Sequence, residues 1–170
     1  PAGVDTTSAD KLSSDTVLVV DTLSMASKAA MWQVLFTNKR LMEQPQIQDW
    51  GEAQRMIEGL IQWLTSDQVK CHVLVNTHIT YIEMQGGAMR GLPNSLGKAL
   101  APVLPRYFNT ILLAQSRGQG KSAKRTLTAL PQGLIETKAL VPANKLPDNW
   151  DLTTGLAEFF KLAGFSPDAK

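Results

Sequence analysis

Thr16-Val17-Leu18-Val19-Val20-Asp21 is the stretch on which the fold turns. Four consecutive β-branched or aliphatic residues without polar alternation are the pattern of a parallel strand buried on both faces. Asp21 closes that strand, and in open α/β sheets ligands bind in the crevice beyond the carboxyl ends of the strands. His72-Val73-Leu74-Val75-Asn76-Thr77 repeats the pattern and again runs into polar residues, Asn76, Thr77 and His78. The segment between the two is long enough for a right-handed crossover, which would bring both polar ends to one sheet edge.

Working outward, Ser24 to about Gln44 has helical spacing, with Met31, Leu35 and Met42 near one face and Pro45 as the stop. Asp49-Trp50-Gly51-Glu52 reads as an N-terminal capping box opening a second helix, whose stripe of Trp50, Ala53, Ile57, Leu60, Ile61 and Leu64 is assigned to the core. Gly86, Gly87, Gly91, Pro93, Gly97, Pro102 and Pro105 break up Tyr81 to Arg106, read as a mobile loop and then a short helix around Ser95 to Leu104. Asn109–Ala114 and Arg125–Leu130 are expected strands with Arg117–Ser122 as a hairpin tip between them, and Leu134–Leu140 is a further strand candidate. Asp151–Ala163 is the final amphipathic helix, with Leu152, Leu156, Phe159 and Phe160 inward and Gly164 as its stop. The fold class expected is α/β: a mostly parallel sheet flanked by helices, with a carboxyl-terminal β-hairpin region. The domain plan is a polar lead-in over 1–15, a partial α/β domain over 16–141, and a linker with an amphipathic helix over 142–170.

Composition narrows the function classes. A chain of 170 residues, 44% hydrophobic, has room for one sizeable core, and no apolar run approaches the roughly 20 residues of a membrane span. Cys71 is the single cysteine, which excludes an internal disulfide and a thiolate metal cluster within one chain and points to a reducing cytoplasm. The net charge of +2 conceals an uneven distribution. Residues 84–135 hold no Asp or Glu but seven basic residues, Arg90, Lys98, Arg106, Arg117, Lys121, Lys124 and Arg125. Such a segment attracts a polyanion, because Lys and Arg contacts to phosphates release condensed counterions; a solvated basic face is the alternative.

Gly120-Lys121-Ser122 imitates the end of a phosphate-binding loop, G-x-x-x-x-G-K-[ST]. Gln115 stands where the first glycine is required, and a strand pattern follows in place of a helix, so the segment reads as a basic hairpin tip. Asp21 after four apolar residues has the form of a Walker B carboxylate, which holds Mg²⁺ through water. His72 and His78 lack a carboxylate pair that would make a metal site, and His78 is the one placed to face a crevice. Trp32, Trp50, Trp63 and Trp150 read chiefly as core, whereas Tyr81 and Tyr107, flanking the basic segment, are the better candidates for stacking on bases.

The order of Thr16–Ser24, then Asn76-Thr77-His78, then the basic Gly/Pro-rich stretch resembles the RecA-like ATPases, in particular the phage-encoded RecA-like recombination ATPases. The resemblance spans about Thr16 to Leu140 and takes in Asn109–Ala114, Lys124-Arg125-Thr126-Leu127-Thr128 and Glu136-Thr137-Lys138. It implies that Asp21 holds Mg²⁺ through water, that Asn76 or His78 senses the γ-phosphate of ATP, and that Lys138 serves a neighbouring subunit. It also implies that Tyr81–Asn94 contacts single-stranded DNA. In that family the phosphate-binding loop and the catalytic glutamate precede the Walker B strand, and only the 15-residue polar lead-in precedes Thr16 here. Leu140 stands where the pattern expects Arg. The expectation is therefore the carboxyl-terminal part of a RecA-like ATPase acting on single-stranded DNA in recombination or repair, in a bacterial host's cytoplasm. ATP and Mg²⁺ would be its cofactors only in the complete protein, and its partners a homo-oligomer or a missing amino-terminal half. The alternative is a catalytically inactive RecA-like scaffold that makes protein contacts.

Overall fold

The computed structural model describes Ser8 and residues 11–165, so most of the expected lead-in over 1–15 lies outside the described residues. In chain order the elements are β1 (Val17–Asp21), α1 (Leu23–Thr37), α2 (Ile47–Leu64), β2 (His72–Asn76), β3 (Ile79–Glu83), β4 (Met89–Pro93), α3 (Gly97–Leu100), β5 (Leu113–Arg117), β6 (Lys124–Thr128), β7 (Trp150–Asp151) and α4 (Gly155–Leu162). Helices and strands mix as an α/β fold requires. Parallel pairing of the named strands is confined to β1 and β2; β3 and β4 form a second two-stranded sheet, and β5, β6 and β7 form an antiparallel sheet in that order. Backbone contacts divide the chain into two compact units, one running to Thr80 and including Leu92–Tyr107, the other made of Tyr81–Gly91 and the chain from Phe108 onward.

The first unit is built on the β1–α1–α2–β2 crossover. β1 pairs with β2 in parallel from Val17 opposite His72 to Asp21 opposite Asn76. The expectation that β1 is covered on both faces does not hold: Leu18 and Val20 are half-buried, while Val17 and Val19 are exposed at 43% and 51%. A strand with apolar side chains on both faces looks alike in sequence whether one face or two are covered, because burial depends on what packs above it.

Helix α1 starts at Thr22, whose hydroxyl accepts from the Met25 N–H at 3.3 Å. It ends at Thr37, well before Pro45. The Lys39 N–H donates to Phe36 and the Arg40 N–H to Leu35, while Lys39 takes a left-handed φ of 57°. That pair of hydrogen bonds is a Schellman stop, with a lysine in the position that glycine usually fills. Because the helix ends early, Met42 lies outside it and is 97% exposed, not on its buried face; Met31 and Leu35 are buried.

Helix α2 begins at Ile47, so Asp49 is the third helical residue and not the N-cap. Its Oδ2 accepts from the Gln46 N–H at 2.7 Å, and its Oδ1 accepts from the Arg40 guanidinium at 2.5 Å and the Asn38 amide at 3.4 Å. Asp49 is fully buried. The Arg40 hydrogen bond holds its carboxyl below the usual carboxylate range, against an upward push from burial, with the Gln46 N–H, the Arg40 charge and Asn38 adding to the lowering. Ala53, Ile57, Ile61 and Leu64 are the buried stripe; Trp50 and Leu60, assigned to it from spacing, are 40% and 36% exposed. Helices α1 and α2 pack on each other, and α3 and the 3-10 turn Leu104–Tyr107 pack on α2.

In place of a mobile loop after His78 there is a β-hairpin, β3–β4, turned at residues 84–88, where the Met84 N–H donates to Ala88 and the Gly87 N–H to Met84. The expected helix over Ser95–Leu104 is the single turn α3 followed by a 3-10 turn.

The second unit closes its own core. Ala129, Val141, Trp150 and Phe159 form a buried cluster, with Leu112, Ala139, Leu146 and Ala163 against it. Trp150 and Phe159 meet edge to face, their ring centroids 5.9 Å apart, a favoured aromatic geometry. Gly155 opens α4, because a Cβ there would sit 2.6 Å from the Trp150 Cβ. The chain before α4 is β7, which pairs with β6, so the final helix is shorter than Asp151–Ala163 and Leu152 is exposed, not inward. Gly164 stops α4 as expected: at φ 82° its N–H donates to Lys161, and the Phe165 N–H donates to Phe160. The Leu134–Leu140 strand candidate makes only single bridges, Ile135 with Gly91 and with Gln132, and Lys138 with Ile111.

Candidate functional site

The carboxyl ends of β1 and β2 form one polar rim. The parallel register sets Asp21 opposite Asn76, and both residues are exposed. The Asp21–Thr22 peptide is cis. Two residues beyond β2, His78 brings its Nδ1 to 3.2 Å from the Ser24 hydroxyl in the first turn of α1. The end of β4 is tied back to the same place: the Thr77 hydroxyl donates to the Asn94 carbonyl at 2.7 Å, and the Asn94 N–H donates to the His78 carbonyl at 2.7 Å. Asp21, Asn76 and His78 are thus brought together on one edge, as read from the sequence.

Ser24 and Asn94 are members of this rim that sequence reasoning passed over. Thr22 and Ser24 stand between a strand end and an apolar helical run, the place where a helix N-terminus recruits hydroxyl residues, so the capping rule was the available signal. For Asn94 no local signal exists, because its role depends on the return of β4.

What this edge can do is limited by its donor set. The side chains of Asp21, Asn76, His78 and Ser24 suit the outer hydration shell of a hard cation and the oxygens of one phosphate. Among the described residues no group of three or more His, Cys, Asp and Glu is arranged to hold a metal directly.

Lys138 belongs to the second unit, where its ammonium donates to the Phe108 carbonyl at 2.8 Å and its backbone pairs with Ile111. Leu140 is exposed.

The seven basic residues are divided between the two units. Lys98 on α3 and Arg106 in the 3-10 turn belong to the first unit, both exposed. Arg90, in the second, is ion-paired with Glu136 at 2.6 Å. Arg117, Lys121, Lys124 and Arg125 gather at the end of the β5–β6 hairpin, all exposed. Gly120–Ser122 is a 3-10 turn between antiparallel strands, which agrees with its reading as a hairpin tip and not as a phosphate-binding loop.

Of the aromatic candidates, Tyr81 is 54% exposed, whereas the Tyr107 hydroxyl donates to Glu58 at 2.5 Å and accepts from Gln62 at 3.1 Å. Trp150 is core, but Trp32, Trp50 and Trp63 are exposed at 62%, 40% and 36%. Among the described residues no helix is long and apolar enough to cross a membrane. Set against protein-family models, curated proteins and solved structures, the chain matches none.

Proposed function

We propose that this chain is the carboxyl-side part of a RecA-like, nucleotide-dependent core that acts on single-stranded DNA in recombination or repair. The observation that carries the reading is the register of Asp21 opposite Asn76 at the carboxyl edge of a parallel pair joined through helices, with His78 on the same edge. That arrangement fits the metal and terminal-phosphate end of Mg²⁺–ATP. Asp21 would hold the ion through water, Asn76 and His78 would meet the γ-phosphate, and Ser24 would fix the imidazole by its hydrogen bond. Bound nucleotide would supply the phosphoryl group for transfer. The edge residues named here include no lysine or arginine for the remaining phosphates, and the chain has no G-x-x-x-x-G-K-[ST] loop. Hydrolysis would therefore need that loop from another segment or subunit, which Lys138 would serve in a homo-oligomer.

The test is a titration of the full chain with Mg²⁺ and ATP to millimolar concentration, followed by NMR. The Asn76 side-chain amide and the His78 ring are expected to shift only when both are present, with no turnover of ATP. Asp21→Asn should remove the Mg²⁺-dependent part. Shifts confined to other residues, or identical shifts in Asp21→Asn, would overturn the reading.

A second reading has an observation of its own. Helix α1 exposes Met25, Trp32 and Phe36, and β1 exposes Val17 and Val19, apolar residues of the kind a catalytically inactive RecA-like scaffold would use for protein contacts. Failure to bind single-stranded DNA at low salt would favour the scaffold.

A further inference from the structure

The β5–β6 hairpin carries a repulsion that its own fold does not relieve. Arg117 and Lys124 are directly opposed across the two strands, and residues opposed in an antiparallel pair share a face. Arg125 stands opposite Ser116 on the other face, and Lys121 occupies the turn. Among the described residues none of these four cations has an ion-pair partner, in contrast to Arg90 and Arg40. Like charges set opposite each other weaken a hairpin, and a sequence that keeps such a conflict at an exposed tip commonly does so for a ligand.

Resting on the reading of this chain as a single-stranded DNA-binding protein, we infer that the β5–β6 tip is its electrostatic anchor, a clamp for the phosphate backbone that reads no base. Two features fix the class of ligand. Gln115–Arg125 contains no aromatic residue, so the tip offers a base no ring to stack on, and its cations recognise chiefly phosphate charge. Cations on both faces and at the end of a narrow ribbon match a flexible strand that bends around it, whereas a straight duplex meets one face.

The experiment is fluorescence anisotropy of a labelled oligo-dT with the full chain at several salt concentrations between about 50 and 200 mM, where counterion release dominates affinity. At about 0.7 counterions released per phosphate contact on a single strand, the variant R117Q/K121Q/K124Q/R125Q should flatten the plot of log affinity against log salt by about 2 to 3. An abasic strand should bind with the same slope through the tip. K98Q/R106Q should change the slope less than the hairpin variant does. The charge-conserving R117K/K121R/K124R/R125K should keep the wild-type slope, which separates charge from damage to the hairpin. If the wild type binds and the neutral variant keeps its slope, the anchor is overturned and the wider reading stands. The anchor is equally overturned if the charge-conserving variant loses as much as the neutral one, or if a duplex of equal length binds more tightly. If the wild type binds no strand even at the lowest salt, the anchor falls together with the DNA reading it rests on.

Discussion

Trp150 and Trp32 are the same residue type in two opposite situations. In the second unit Trp150 is enclosed by Phe159, Val141 and Ala129 and is 6% exposed; in the first, Trp32 lies on α1 with 62% of its surface open. The three-stranded antiparallel sheet is assembled from chain neighbours and packed against its own helix, and the cluster around Trp150 finds its partners there. The parallel pair β1–β2 leaves Val17 and Val19 uncovered, and α1 buries one side while presenting Met25, Trp32 and Phe36 on the other. A helix apolar on both sides is a helix made to be covered twice. The difference separates a tryptophan enclosed in the core of its unit from one left open on a helix that packs by its other side.

The contrast can be broken experimentally, beginning where the effect is largest. Trp150→Ala should cost about 3 to 5 kcal/mol in denaturant unfolding, the range for emptying a buried aromatic site. A cost below about 1 kcal/mol would mean that the second unit is not closed by this cluster.

Next in size is Asp49→Ala, which leaves the half-buried Arg40 guanidinium with only the exposed Glu43 carboxylate at 3.9 Å; the melting temperature should fall by on the order of 10 °C. The same group gives a pH signature. Its folded carboxyl titrates below the unfolded value, so the stabilisation is present above about pH 4, the unfolded value, and is lost as pH falls through the lower folded value. Acid unfolding curves should therefore show a component that Asp49→Asn removes. If wild type and Asp49→Asn lose stability in parallel, the network does not supply it.

The smallest expected effect is Trp32→Ala. It should change stability by no more than about 0.5 kcal/mol, as for other exposed positions, while lowering any self-association measured by sedimentation. A large loss of stability would show that the α1 surface is already covered, and the contrast between Trp32 and Trp150 would then fall.

Much of the local structure was legible in sequence because it is decided locally. The β1 and β2 runs, the Gly120–Ser122 tip and the Gly164 stop each rest on a few adjacent residues whose propensities agree. The alignment of Asp21 with Asn76 followed from the lengths and ends of two strands. Three things were not legible. The extent of the sheet around β1 depends on residues distant in the chain. The early end of α1 is set by the Lys39 turn and by Arg40 reaching Asp49, a tertiary contact that overrides continuing helical spacing toward Gln44. The hairpin after His78 was hidden by Gly86 and Gly87, which mark a loop and a tight β-turn equally well. At the candidate site, the rim residues were visible as strand ends, but the Ser24–His78 hydrogen bond joins positions 54 apart.

The opposed Arg117 and Lys124 carry one more consequence. Dissolved electrolyte quiets the quarrel between two neighbouring cations, and it also competes for whatever anion they grip. If the ribbon is the strand anchor proposed above, raising ionic strength should make it sturdier and emptier at once, so that the conditions under which it holds its shape best are those under which it would hold a strand least.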